Sequence, residues 1–178
     1  MIRLVCTIAV VLVISSCGQN QPAAEVKSDA APAAKADSTT YPYKANYSSS
    51  FDFGKSEDAK TVLSIWKAYE DNNFASTKDL WADSATLQFE DFTFHGSRDS
   101  VMKGGADDRA HYTSVIDSVD AWIPLHSKDK NEDWVAVWGR EYTVDKKGKK
   151  DTADLHEIWL LKSGKVAYVS QYRAHRKR

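Results

Sequence analysis

Two neighbouring runs of strand-like sequence dominate the C-terminal part of the chain. Ala153–Leu161 and Val166–Tyr172 are dense in apolar, aromatic and β-branched residues, which favour extended structure. Lys162–Lys165 separates them and contains Gly164, which can take a positive φ in a tight turn. The pattern predicts two strands joined as a β-hairpin.

The first strand of this hairpin carries apolar side chains on both faces. Successive side chains of a strand point to opposite faces. One face therefore carries Asp154, His156, Ile158 and Leu160, and the other carries Leu155, Glu157, Trp159 and Leu161. We expect both faces to be covered. A histidine among the apolar residues of one face is the first candidate for a functional group.

Helical periodicity precedes the strands. A helix is predicted from Ser56, its candidate N-cap, to about Asn72–Asn73, because Val62, Trp66 and other apolar residues recur at helical spacing. The remaining predicted elements are a short helix at Thr77–Trp81, a strand at Ala85–Phe89, a helix capped by Ser97 and broken or ended by Gly104–Gly105, and strands at Val115–Leu125 and Trp134–Val144. Helices followed by long antiparallel strands indicate an α+β fold.

The N-terminus has the pattern of an export signal. Arg3 is followed by an apolar run from Leu4 to Ile14, which at about eleven residues is too short for the roughly 20 of a membrane span. The sequence Ile14–Cys17 resembles the bacterial lipobox, so we expect residues 1–16 to be removed and Cys17 to be acylated. Cleavage nearby as an ordinary signal peptide is the alternative.

Two segments separate this signal from the folded unit. Residues 17–40 are rich in Ala, Pro, Ser, Asp and Lys and lack large apolar residues, which predicts a flexible tether. Residues 41–53 hold five aromatic residues, and we expect this arm to lie on the domain surface, with disorder as the alternative. Residues 54–178 form the predicted domain.

Composition narrows the functional classes. The formal net charge is −1, which gives no electrostatic case for nucleic-acid binding. The five histidines have no metal-ligand spacing, and the sequence contains no nucleotide-binding or G-x-S-x-G motif, so we expect neither a metal nor a cofactor. An acylated Cys17 would leave no free thiol as a nucleophile.

The order of elements from Gly54 to Ala174 resembles the nuclear transport factor 2-like superfamily, which includes SnoaL-like polyketide cyclases and ketosteroid isomerases. The resemblance is carried by Val62–Trp66, by Leu80–Thr86 and by the turn at Gly164–Val166. It implies a cone-shaped, curved antiparallel sheet with the N-terminal helices packed on its concave side. Such a fold hosts many unrelated functions.

The resemblance also implies which side chains face the interior of the cone. It places Trp66, Phe89 and His156 where ketosteroid isomerases have a tyrosine, a base aspartate and a protonated aspartate. Phe89 cannot accept a proton, which argues against isomerase activity on steroids. With His156 facing inward, the candidates for acid–base chemistry are His156, Glu141 and Asp91, and those for ligand contact are Trp66, Phe89, Val137, Gln171 and Arg173.

The opposite face of the sheet is then expected to be aromatic. Its predicted members are Trp134, Trp138, Tyr142, Leu155, Trp159, Tyr168 and Tyr172. An exposed aromatic face marks an interface. We expect a homodimer through this face, and coverage by the aromatic arm of the same chain is the alternative.

Three interpretations of the interior remain open. The polar groups could satisfy one another, contact a small apolar ligand, or perform acid–base chemistry of a SnoaL-like lyase, isomerase or cyclase through His156. The sequence favours a ligand- or partner-binding module over catalysis. Gly18, which follows the lipobox cysteine, is not an acidic retention signal, so we expect an envelope lipoprotein in the outer membrane facing the periplasm.

Overall fold

A computed structural model of the protein describes residues 39–176, and the domain discussed below begins at Tyr43. The predicted signal peptide, the lipidation site Cys17 and most of the predicted tether lie outside the described residues. Within residues 39–176, no helix has the length and apolar character needed to cross a membrane.

The domain contains seven strands, two α-helices and one 3-10 helix within the described residues. In chain order they are β1 (Phe51–Phe53), α1 (Ser56–Glu70), the 3-10 helix (Phe74–Leu80), β2 (Trp81–Gln88), β3 (Thr93–Ser97), α2 (Arg98–Arg109), β4 (Tyr112–Ser127), β5 (Glu132–Asp145), β6 (Lys150–Lys162) and β7 (Lys165–His175). The strands form one curved, open sheet in the order β1-β4-β5-β6-β7-β2-β3. The predicted α+β fold is confirmed, with one parallel pair, β2 with β7, in an otherwise antiparallel sheet.

The predicted hairpin is present as β6 and β7. Ser163 and Gly164 both have positive φ, 51° and 74°, as the tight turn requires. The four long strands extend beyond their predicted limits by one to three residues at every end. The short strand β3 was not predicted from the sequence.

The helix ends follow local chemistry only in part. Ser97 caps α2, because its hydroxyl accepts a hydrogen bond from the Ser100 backbone N–H at 3.3 Å. Ser56 does not cap α1; it is the first helical residue, and Lys55 occupies the cap position without a side-chain hydrogen bond. The predicted break at Gly104–Gly105 is also wrong, since α2 continues to Arg109.

Close packing explains the second glycine of that pair. A Cβ on Gly105 would lie 2.3 Å from Cε1 of Phe74, whereas a Cβ on Gly104 would meet nothing within 4 Å. Gly105 therefore lets α2 approach the 3-10 helix, and the glycine reflects helix packing rather than helix termination.

The two faces of β6 are the reverse of the expectation. Leu155, Glu157 and Trp159 are buried, whereas His156 is exposed. Paired residues of antiparallel strands share a face, and β5 pairs Val137 with Glu157 and Trp138 with His156. The inward placement of Asp154, His156, Ile158 and Leu160, and the outward placement of Leu155 and Trp159, are therefore wrong.

A one-residue change of register moves every side chain of a strand to the other face. Because β6 is apolar on both faces, its own alternation did not select between them. Val135, Val137, Gly139 and Glu141 of β5 do face inward, so the positions on β5 were assigned correctly and the main error lies in the matching of β6 against β5.

Part of the aromatic arm packs on the domain. β1 pairs with the end of β4, with Phe51 opposite Ser127 and Phe53 opposite Leu125. The Tyr47 ring contacts Trp134 edge-on at 5.9 Å between centroids, and its hydroxyl donates a hydrogen bond to Glu132. The arm therefore covers one end of the outer sheet face.

Candidate functional site

A cavity of about 810 Å³ opens on the concave side of the sheet. Its walls come from α1, the 3-10 helix, α2 and the inner faces of strands β2 to β7. The turn between β2 and β3 lies at its edge, where the Phe89 N–H donates to the Phe92 carbonyl at 2.9 Å and the two rings stack at 5.0 Å between centroids. The cavity is the concave site that the fold creates.

Aromatic rings form much of the cavity wall. Phe74 contacts both Tyr69 and Trp81, with ring centroids 6.2 Å and 6.0 Å apart, and Trp81 contacts Trp159 at 6.0 Å. Trp66 of α1 adds a further indole. These rings belong to the buried core as well as to the cavity surface, so their positions are fixed by packing.

Glu157 is a buried acidic residue of the site. Its carboxylate accepts hydrogen bonds from Trp66 Nε1 at 2.6 Å, from Trp159 Nε1 at 2.9 Å and from Gln171 Nε2 at 2.6 Å. Burial raises the pKa of Glu157, and the three donors act against that rise by stabilising the ionised form. The residue thus joins α1, β6 and β7 at the base of the cavity.

Glu141 and Arg173 form an ion pair beside it. Arg173 Nη1 lies 2.6 Å from Glu141 Oε1, and the two side chains are 19% and 8% exposed. The pair satisfies the charge of Glu141 within the wall, as a buried carboxylate requires.

Asp117 of β4 lies opposite Glu141 in the sheet. Its Oδ1 atom is buried and has no hydrogen-bond partner among the described residues. Burial first, and then the neighbouring Glu141, Glu70 and Glu157, raise the pKa of Asp117 to about 7, against the opposing charge of Arg173. The carboxyl group can therefore either hold or release a proton near neutral pH.

A hydrogen bond between a phenol and a carboxylate joins the two helices that flank the cavity. The Tyr69 hydroxyl donates a hydrogen bond to Asp108 of α2. Burial, together with the charge of Asp108, raises the pKa of Tyr69 above its ordinary value, so this phenol stays protonated. The pair ties α1 to α2 across the cavity.

The charges that line the cavity are unbalanced. Eight lining residues are carboxylic acids and two are Lys or Arg. The acids are Glu90, Asp91, Asp108, Asp117, Glu141, Asp145, Asp151 and Glu157, and the cations are Lys149 and Arg173. No group of three or more His, Cys, Asp or Glu side chains within residues 39–176 is placed to hold a metal ion.

The structure brings most of the candidate residues from the sequence to this cavity. Its lining includes Trp66, Phe89, Asp91, Glu141, Gln171 and Arg173. Val137 also faces inward but lies in the apolar core and not among the lining residues.

His156 does not belong to the cavity. It lies on the outer face of the sheet, with its ring edge-on to Trp138 at 5.9 Å between centroids. The sheet itself separates it from Glu141, so the hypothesis of a His156–Glu141 pair in the cavity is wrong.

Sequence reasoning missed Asp117 and Glu157. Glu157 carries a detectable signal, since it is a charged residue inside the apolar run Leu155–Trp159. Asp117 carries a weaker one, because its proximity to Glu141 depends on the register between β4 and β5. That register includes a bulge between Val119 and Ala121, which no alternation pattern reveals.

Comparisons with known proteins identify the fold. No protein-family profile matches the sequence, and no curated protein is significantly similar to it. Solved structures do match. One is an NTF2-like protein of unknown function from Burkholderia pseudomallei K96243, at a TM-score of 0.56 and 16% identity over 67% of this chain and 92% of that one.

Two further matching structures are described by a class of activity. A protein from Jannaschia sp. CCS1, described as a SnoaL-like polyketide cyclase, matches at a TM-score of 0.55 and 11% identity over 67% of this chain and 86% of that one. An LEH-like epoxide hydrolase from M. tuberculosis matches at 0.55 and 8% identity over 67% and 84%. Identities this low establish architecture and leave chemistry open. The domain therefore has the nuclear transport factor 2-like α+β cone fold, shared with SnoaL-like proteins.

Proposed function

We propose that the domain binds a small, mainly apolar molecule in the cavity of the cone. The observation that carries this proposal is the cavity itself, about 810 Å³ in volume and walled by Trp66, Trp81 and other aromatic residues, with a few convergent polar groups. Ligand sites of soluble proteins commonly have this volume and this composition.

The satisfied hydrogen bonds of the wall support binding rather than simple core filling. Glu157 and Glu141 have protein partners, so they hold their positions without a ligand. Asp117 also lines the cavity, and its Oδ1 atom has no hydrogen-bond partner among the described residues, so this carboxyl group is not held by the wall in the way that the other two are. A preformed wall with one unused acceptor favours a ligand that is apolar over most of its surface.

The cellular setting of this function rests on the sequence. We propose that the mature protein is a lipoprotein anchored through acylated Cys17 to the outer membrane and faces the periplasm. The lipobox at Ile14–Cys17 and the polar segment up to residue 40 support this arrangement. Metabolic labelling with a palmitate analogue tests it, because Cys17→Ser abolishes the label if the anchor is correct, and labelling that survives this change overturns it.

Calorimetric titration with phenylpropanol tests the binding function. Gly104 lines the cavity and has open space around its Cβ position, so Gly104→Phe introduces a ring into that space. We expect this variant to weaken binding by about tenfold or more. Lys103→Phe is the matched control, since Lys103 is the preceding, exposed residue of α2 and does not line the cavity. Equal affinities for the two variants would place the ligand elsewhere.

Acid–base catalysis is the second candidate function. It is favoured by the position of Asp117, which lines the cavity opposite Glu141. Burial and the neighbouring acids raise the pKa of Asp117 to about 7, and a general acid or base works best with a pKa near the working pH. In this candidate Asp117 takes the role for which the sequence suggested His156. The chemistry would be that of a lyase, isomerase or cyclase, in which a proton is removed from or returned to a carbon of the bound substrate.

Mass spectrometry of a native envelope extract, incubated with the protein, separates the two functions. If the domain is an enzyme, the wild type and His156→Ala consume the same compound, and Asp117→Asn consumes it about 10²-fold more slowly or worse. A binding module depletes free ligand in proportion to its own concentration and forms no product. Product formation by Asp117→Asn at the wild-type rate rules out this role for Asp117.

We also propose that the domain self-associates through the outer face of the sheet. Ile116, Tyr142, Ile158 and Tyr172 on this face are 40–67% exposed, although the aromatic arm covers the end near Trp134. Sedimentation velocity tests the proposal. Tyr172→Arg is expected to dissociate the dimer. Phe53→Arg is the control, because Phe53 is also an exposed aromatic residue but lies on β1, and this change is expected to leave the dimer intact. A monomeric wild type at about 100 µM contradicts the proposal.

A further inference from the structure

We infer that the ligand of the cavity is an organic cation, a protonated amine or quaternary ammonium group attached to an apolar body. The inference rests on the proposed binding function and specifies its ligand class. It is carried by the charge balance of the wall, by the partners that each buried carboxylate has, and by the aromatic surface around them.

Three carboxyl groups on neighbouring strands of the cavity wall differ in how their charge is satisfied. Glu141 has a cationic partner in Arg173, at 2.6 Å. Glu157 has three neutral donors from Trp66, Trp159 and Gln171. Asp117 has neither a cationic partner nor a donor to Oδ1 among the described residues. Among these three carboxyl groups, Asp117 is therefore the one without a compensating partner.

Asp117 lies close to the other acidic residues of the cavity, so their charges act together. Asp117 is the cross-strand neighbour of Glu141, and Glu157 and Glu70 also raise its pKa through their charges. Arg173, the cation that opposes them, is already paired with Glu141. In a partly enclosed cavity such a cluster produces a negative potential that attracts cations and repels anions. A positively charged ligand head would supply the missing counter-charge.

The aromatic wall suits an organic cation rather than a metal ion. Tyr69, Trp66 and Trp81 line the same cavity as the carboxylates, and Trp66 contacts Glu157 directly. The faces of aromatic rings stabilise ammonium groups within about 6 Å. Within residues 39–176, no cluster of three or more metal-binding side chains is placed to coordinate a metal. A cavity of about 810 Å³ also accommodates an apolar body of many carbon atoms behind the charged head.

Ligand charge and the proton of Asp117 are then coupled. A bound cation favours the ionised carboxylate, so binding releases a proton wherever Asp117 was protonated in the free protein. The groups that face Asp117 are Glu141 on β5, Glu157 on β6, Glu70 on α1 and Arg173 on β7. Affinity for an amine therefore rises between pH 6 and pH 8, while affinity for a neutral analogue changes little.

The test uses three probes with one apolar body. Phenylpropylamine, phenylpropanol and phenylpropanoate carry positive, zero and negative charge at neutral pH, and calorimetry at pH 7.5 and low salt measures their dissociation constants. We expect the amine to bind about tenfold or more tightly than the alcohol, and the carboxylate to bind least. Heats in buffers of different ionisation enthalpy report the proton that the amine releases.

A matched pair of variants locates the effect. Asp117→Asn is expected to remove most of the preference for the amine over the alcohol, together with the proton release. Asp120→Asn, which changes an exposed carboxylate three residues along the same strand, is expected to retain both. If the preference for the amine survives Asp117→Asn, Asp117 is not the residue that binds the cationic group.

The outcomes also separate this inference from the proposed function. If all three probes bind equally, the cavity binds apolar ligands and the inference of a cation is wrong. If none binds, or if Gly104→Phe leaves every affinity unchanged, the proposed function itself fails. Tighter binding of phenylpropanoate than of the amine contradicts the inference directly.

Discussion

Replacing the half-buried Asp117 by asparagine should stabilise the protein, and more so at high pH than at low pH. The pKa of Asp117 rises from 3.8 to about 7 on folding, because burial and neighbouring carboxylates disfavour its ionised form. For an acid whose pKa is raised in the folded state, the unfolded chain ionises first. Stability is therefore greatest below the unfolded pKa and falls as the pH rises through the folded pKa.

The size of the effect follows from that shift. A pKa that differs by about three between the folded and the unfolded state corresponds to roughly 4 kcal/mol, at about 1.36 kcal/mol for a difference of one. This value is an upper limit, because the side chain is partly exposed. Asparagine carries no charge and avoids this cost at every pH. We expect Asp117→Asn to exceed the wild type by about 2–4 kcal/mol at pH 8, and the gap to shrink by about 2 kcal/mol or more at pH 4.5.

Urea unfolding at a series of pH values, followed by tryptophan fluorescence, measures the gap. The change of the gap with pH is the decisive quantity, since any effect of the amide on packing or hydrogen bonding is independent of pH. Asp120→Asn provides the control, and its difference from the wild type should change little over the same range. A gap for Asp117→Asn that stays constant from pH 4.5 to pH 8 refutes the account of this carboxyl group.

Two further predictions concern packing and the hydrogen bonds of the cavity base. Gly105→Ala should destabilise the protein by about 1–3 kcal/mol, because its Cβ would contact the Phe74 ring. Gly104→Ala should stabilise it by about 0.5–1 kcal/mol through the higher helix propensity of alanine. Equal urea midpoints for the two variants would contradict this difference. Trp66→Phe should cost about 1–3 kcal/mol at pH 7, because Glu157 loses one of its three donors, and less at pH 5, where that carboxylate is more readily protonated. Urea unfolding at both pH values measures the cost, and a loss that grows on acidification would exclude this cause.

The fold was accessible from the sequence because each of its signals is local. The turn at Gly164, the cap at Ser97 and the helical spacing around Trp66 each depend on a few neighbouring residues. The order of those elements was enough to indicate an α+β fold, and the resemblance to the nuclear transport factor 2-like superfamily implied the cone-shaped sheet. The pair Gly104–Gly105 misled because packing against Phe74, which is distant in sequence, explains the second glycine.

The site was only partly accessible because it depends on register. Inward positions on β5 and most of those on β7 were assigned correctly, which identified Glu141, Gln171 and Arg173 as cavity residues. On β6 both faces are apolar, so His156 and Glu157 exchanged places in the expectation. The residues next to His156 and Glu157 therefore did not indicate which of the two side chains faces the cavity.

The carboxylate of Glu157 holds groups from three separate elements, and this has an evolutionary consequence. If any one donor were lost, a charged atom would remain poorly solvated in the interior, so its replacement would be tolerated only together with a change at position 157. In related chains, the residues corresponding to Trp66, Trp159, Gln171 and Glu157 should therefore be inherited or substituted as a set.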